Sequence, residues 1–222
     1  MGFLKYFKRE ILKELTCQYN VFERDDDKGS KIFLQLIKEY REKYLTFAEN
    51  NKLNHSSFGG ILIEWIFKFA LDVCVENLNK SDKIEIINKY QLDCPWKTKG
   101  HKKVNIDLLI KVKNSNILLM CAEMKTNFED GFEKYFVEQE NISKIESIKY
   151  QKFKYHYISL SRMPPKFSTR EELRNKIETL NKNSQLWILQ IINTQEAEFS
   201  EDLIKACSGM LNSFYSVIKD YK

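Results

Sequence analysis

Apolar residues recur at three- and four-residue spacing through the first third of the chain and at two-residue spacing through its middle, which predicts helices followed by strands. Phe33, Leu36, Ile37, Tyr40 and Tyr44 mark the apolar stripe of a helix over 30–50, and a similar helix is predicted from Phe3 to Tyr19. The intervening Asp25-Asp-Asp-Lys-Gly-Ser30 reads as a solvated turn, because three consecutive acids lack the alternating ligand spacing of a calcium loop. After a loop over 51–57, Ser56 or Ser57 is placed to cap a helix that begins near Phe58 and runs to about Asn79. Nearly every position from Ile61 to Val75 is apolar, as in a helix buried on several sides. Glu64, Lys68 and Asp72 interrupt it on one stripe, and Gly59 and Gly60 near its start suit either turn flexibility or close backbone approach.

Strand-like runs follow near 83–93, 103–113 and 116–125. Val104, Ile106, Leu108, Ile110 and Val112 alternate with Asn105, Asp107, Leu109 and Lys111, so Asp107 is expected on a polar face. The next run is apolar until Glu123, as in a strand covered on both sides, and Lys125 shares the Glu123 face. A charged helix is predicted over 129–154, a strand at Tyr155-His-Tyr-Ile-Ser-Leu160, and a proline-bearing loop over 162–167. Beyond these come a helix over 169–182, a buried strand over 185–192, and an amphipathic helix over 200–221 that presents Leu203, Cys207, Met210, Leu211, Phe214 and Ile218.

Asn114-Ser115-Asn116 separates the second and third strands. A three-residue loop with Asn116 left-handed pairs Lys113 with Ile117, and the same register sets Asp107 opposite Glu123 and Asn105 opposite Lys125. Facing carboxylates about 5 Å apart repel unless a cation lies between them. A hard divalent ion such as Mg²⁺ answers that need, since it takes oxygen ligands from one or two carboxylates and from substrate phosphate. The simpler alternative is a solvated strand face on which Asp107, Lys111 and Lys125 pair across the ladder.

Asn-Ile-Asp107, followed sixteen positions later by Glu123-Met-Lys125, resembles the PD-(D/E)xK nuclease superfamily, the fold of many type II restriction endonucleases, resolvases and repair nucleases. The resemblance covers roughly residues 57–160, with Ile106 where the family usually carries proline. It implies an α/β fold: a restriction endonuclease-like αβββαβ core with a mixed central sheet flanked by helices, and extra N- and C-terminal helices. The expected plan is one domain over 1–222, with an N-terminal helical part to 56, the core over 57–160, and a C-terminal strand and helices over 161–222. The implied activity is Mg²⁺-dependent cleavage of double-stranded DNA, with Mn²⁺ as a substitute ion. Asp107 and Glu123 hold the metal and Lys125 assists the attacking water or the developing charge. A glutamate on the preceding helix often points into such sites, so Glu64 is a further catalytic candidate, level with its reading as a surface ion-pair partner of Lys68. Two other readings stay open. One is a superfamily cousin, either a junction resolvase or a cap-snatching RNA endonuclease in which His55 is recruited; the other is a non-catalytic nucleic-acid-binding protein. Gln151 to Tyr155 matches a Q-x-x-x-Y spacing of some related exonucleases, but so short a match far from Lys125 carries little.

Composition narrows this picture modestly. Hydrophobic residues at 43% and charged residues at 30% are those of an ordinary globular protein. A net charge of +5 suits a polyanionic partner without specifying one. Lys97, Lys99, His101, Lys102 and Lys103 lie just before the Asp107 strand, and Lys99, His101, Lys102 and Lys103 are the candidate DNA-phosphate contacts. Five cysteines without a C-x-x-C pair fit free thiols. Met1-Gly-Phe-Leu-Lys-Tyr-Phe-Lys-Arg is too short in its apolar part for a signal peptide, and a cytoplasmic protein is expected. A homodimer would match two-fold duplex DNA.

Overall fold

The computed structural model describes Arg9, Asn175 and residues 27–52, 55–94, 102–125, 153–160, 184–191 and 198–222. The helices predicted over 3–19, 129–154 and 169–182 therefore fall largely or wholly outside the described residues. The chain divides into two compact units, one formed by residues 1–82 with 194–222, the other by 83–193.

The first unit is helical. It contains α1 (Asp27–Asn50), α2 (His55–Asn77) and α3 (Glu201–Asp220). The predicted stripe of α1 is buried, and the helix begins at Asp27, earlier than the turn reading placed it, with Gly29 and Ser30 also buried. α2 begins at His55, so that histidine opens a helix where a loop was expected. Phe67 of α2 meets the Phe33 ring edge-on at 4.9 Å and lies 6.2 Å from Phe214 of α3, which joins the three helices through one aromatic side chain. Gly60 lies within α2, and a Cβ there would meet nothing within 4 Å among the described residues, so close approach does not explain this glycine.

Both ends of α3 are capped. The Ser200 side chain accepts a hydrogen bond from Leu203 N–H, and Glu201 and Asp202 place negative charge at the positive end of the helix dipole. At the other end the Lys80 ammonium donates to the Ile218 carbonyl at 2.9 Å, to that of Lys219 at 2.7 Å, and to that of Tyr221. All six residues predicted for its apolar side are buried.

Among the described residues, the second unit forms a five-stranded mixed sheet in the order β1 (Ile84–Asp93), β2 (Lys103–Val112), β3 (Leu118–Lys125), β4 (Lys154–Ser159), β5 (Ser184–Ile188). β1, β2 and β3 are antiparallel neighbours, while β4 runs parallel to β3 and β5 parallel to β4. Leu119, Met120, Cys121 and Ala122 are all fully buried, which is the two-sided burial that the unbroken apolar run predicts. Leu92, Val104, Ile106, Leu109, Cys121, Tyr155, Tyr157 and Ile188 belong to one apolar cluster.

The β2–β3 turn reaches the expected register by a different route. The left-handed residue is Asn114, at φ 55°, not Asn116. Val112 N–H donates to the Ile117 carbonyl at 3.0 Å, and the Ser115 hydroxyl both donates to Val112 O and accepts from Ile117 N–H. A bulge beside Ile110 and Lys111 absorbs the difference, so Leu109 faces Cys121 and Leu108 faces Ala122 as the sequence predicts.

No helix among the described residues is long and apolar enough to cross a membrane.

Candidate active site

The described β2–β3 pairing ends at Leu108↔Ala122, one residue short of Asp107. Continued regularly, the ladder would bring the Met124 amide to the backbone carbonyl of Ile106. Instead Met124 N–H donates to the Asp107 carboxylate, to Oδ2 at 2.8 Å. A side chain has taken over a backbone acceptor's place, and this brings Asp107 to the Glu123 strand without a ladder pair between them. The expected direct opposition of the two acids is corrected accordingly, and so is the expected alternation of β2, because Ile106 and Leu109, three apart, belong to the same apolar cluster.

Lys125 joins the acids. Its ammonium lies 3.9 Å from Asp107 Oδ2 and in direct contact with Glu123 Oε1. The Glu123 side chain is 8% exposed, that of Asp107 20% and that of Lys125 28%, so the cluster grades from a buried floor to an open mouth. Lys111 stands apart from it, paired across the β1–β2 ladder with its register partner Glu85 at 3.1 Å, as the charge-ladder alternative expects of that residue.

β4 brings a residue that the sequence reading passed over. The parallel register places Tyr157 beside Glu123, fully buried on the same face. Burial raises the Tyr157 phenol well above its ordinary range, and the charges of Glu123 and Asp107 add to that rise. Tyr157 is therefore a neutral phenol, buried within the field of both acids. Burial also pushes up the Cys121 thiol, two residues before Glu123, with the Glu123 charge contributing.

The donor set has hard-cation chemistry: two carboxylates converging on one ammonium, which occupies the kind of position a metal ion takes between acids. No group of three or more His, Cys, Asp or Glu assembles among the described residues. The protein's share of a metal shell would thus be Asp107 and Glu123, with water and substrate phosphate supplying the rest.

Glu64 sits on α2 in the helical unit and is 8% exposed. Lys68 and Asp72 do form the predicted i,i+4 pair, at 2.5 Å, but both are partly exposed. Glu64 is buried where they are not, so a solvated surface stripe does not describe it. Of the basic loop, Lys99 and His101 lie outside the described residues. Lys102 is exposed and closes the loop by accepting from Cys94 N–H, while Lys103 is an exposed residue of β2, 3.9 Å from Asp93. The His55 side chain and Gln151 also lie outside the described residues. Tyr155 of the Q-x-x-x-Y spacing is a core residue of β4.

No family model matches this chain, and no curated protein matches it. Among solved structures, the crystal structure of protein VC1899 from Vibrio cholerae is similar at 12% identity and a TM-score of 0.42, over 94% of this chain and 57% of that one. This chain therefore spans little more than half the length of that protein, and a likeness this loose carries no inference about activity.

Proposed function

We propose that the protein is a metal-dependent endonuclease of the PD-(D/E)xK type, with a restriction endonuclease-like core, and that it hydrolyses phosphodiester bonds in double-stranded DNA. The observation that carries the reading is the meeting of Asp107, Glu123 and Lys125 at the opening between β2 and β3. A phosphodiester is already anionic, so an attacking nucleophile needs charge neutralised and a proton removed. Bound Mg²⁺, or Mn²⁺ in its place, supplies the Lewis acid and a more acidic water. Asp107 and Glu123 hold that ion, and the Met124 N–H fixes one Asp107 oxygen so that its carboxylate is oriented before substrate arrives. Lys125, the most exposed of the three, places positive charge at the reacting phosphate. Lys102 and Lys103, both exposed, are placed for DNA-phosphate contact, and a homodimer would suit cleavage of both strands.

The decisive experiment incubates purified protein with unmethylated plasmid, with and without Mg²⁺, and maps the ends. Discrete Mg²⁺-dependent cuts are expected. Absence of cutting with either ion would sink the reading, and cutting of single-stranded RNA alone would replace the substrate.

A further inference from the structure

β1 and β2 keep one register on both sides of Asp107, since Asn88 pairs with Leu108 and Tyr90 with Ile106, yet Lys89 and Asp107 drop out of the ladder between them. Side-chain alternation breaks at the same place in both strands. Ile87 and Tyr90 lie against one apolar cluster although they are three apart, and so do Ile106 and Leu109. A regular strand sends residues three apart to opposite faces. The two strands therefore change faces together, and at that point the Lys89 backbone is left-handed, with φ 55°. Residues other than Gly, Asn and Asp seldom adopt this conformation. Across β2 from Lys89, the β2–β3 ladder stops and the Asp107 carboxylate takes the Met124 amide at 2.8 Å.

We propose that Lys89 is a positioning residue for Asp107: its left-handed backbone sets the joint change of face in β1 and β2 that lifts Asp107 from the ladder toward Met124, Glu123 and Lys125. Its consequence for metal binding rests on the nuclease reading above; its consequence for the Asp107 geometry does not. The backbone conformation carries this effect, and the Lys89 ammonium is dispensable to it. Glycine enters the left-handed region freely, whereas a β-branched residue favours the regular strand.

The test compares full-length Lys89→Gly, Lys89→Ala and Lys89→Val with the wild type. Scalar coupling across the hydrogen bond reports whether the Met124 amide nitrogen is joined to the Asp107 carboxyl carbon or to the Ile106 carbonyl carbon. Wild type and Lys89→Gly are expected to couple to Asp107 and Lys89→Val to Ile106, with Lys89→Ala coupling to Asp107 more weakly than Lys89→Gly. Calorimetric Mn²⁺ affinity should fall at least about tenfold in Lys89→Val and stay near the wild-type value in Lys89→Gly. Retention of the Asp107 coupling in Lys89→Val overturns the proposal, as does its loss in Lys89→Gly. If Lys89→Val does not fold, equal coupling in Lys89→Ala and Lys89→Gly overturns it instead. A wild type that binds no Mn²⁺ defeats the metal reading of Asp107, and the coupling comparison still decides the matter of Lys89.

Discussion

His156 and Tyr157 are neighbours on β4 that point to opposite faces of the sheet, and each belongs to a buried polar group of a different kind. His156 is fully buried, and its Nδ1 accepts from the Trp187 indole N–H at 2.7 Å with the two rings nearly parallel. Burial and the nearby Lys154 charge lower its pKa from 6.5 to about 3, so the imidazole is neutral. Tyr157 instead lies on the side of Asp107, Glu123 and Lys125, where the acids contact an ammonium and the cluster opens toward solvent at Lys125. Charge is costly to bury, and a neutral pair removes that cost on one face. On the other face charge is kept and left reachable at Lys125, as the proposed ion or phosphate binding would require.

The strongest way to break this contrast is Asp107→Ala. Cleavage should fall by about a thousandfold or more, because a metal ligand is lost and Lys125 keeps one acid partner of two. The sheet should still fold, since the principal structural loss is the acceptor of the Met124 amide, of order 1 kcal/mol. Cleavage at the wild-type rate by this variant would remove the proposed chemistry from the β2–β3 opening.

The opposite face predicts a pH effect with a definite sign. The pKa of His156 is lower in the folded protein than in the unfolded chain, so its contribution is complete above about pH 6.5 and is lost as pH falls toward about 3. By pH 4 the loss should be of order 3 kcal/mol. His156→Gln keeps an acceptor for Trp187 without titrating, so denaturant midpoints of this variant should fall less steeply between pH 6.5 and 4. Parallel wild-type and variant profiles would mean that His156 is not held neutral by its surroundings.

Much of this is legible in the sequence. Three of the predicted β2–β3 pairs, the E-x-K placement on β3 and the buried stripes of α1 and α3 follow from spacing alone. The change of face at Lys89 and Asp107 was hidden for a physical reason. Val104, Ile106, Leu108 and Ile110 look like one face, but only the first two join the Tyr157 cluster, while Leu108 and Ile110 are buried outside it. Where both faces are covered, apolar alternation continues through a flip and gives no sign of it. Tyr157 was missed because β3 and β4 are far apart in sequence, so no local turn chemistry indicates their parallel register.

Lys125→Ala sharpens the contrast from within the site. The cleavage rate at saturating DNA should drop about a hundredfold, with DNA affinity changed by less than about threefold. Charge reversal at Lys102 and Lys103 should do the opposite, weakening binding with a shallower salt dependence. Loss of binding with normal turnover in Lys125→Ala would make Lys125 a plain phosphate contact.

The smallest expected effect belongs to Tyr157→Phe, which removes one oxygen and leaves the ring in the core. If its hydroxyl supports the acids, the variant should lose about 1 kcal/mol of stability and cut several-fold more slowly, with a raised Mn²⁺ requirement. Because Tyr157 and His156 face opposite ways, the acid-side fall in stability set by His156 should be unchanged in Tyr157→Phe, just as His156→Gln should leave the metal requirement alone. Measuring both variants for both properties makes the separation of the two faces quantitative. A shared change would show that the faces are coupled through β4 and that the contrast between them is incomplete.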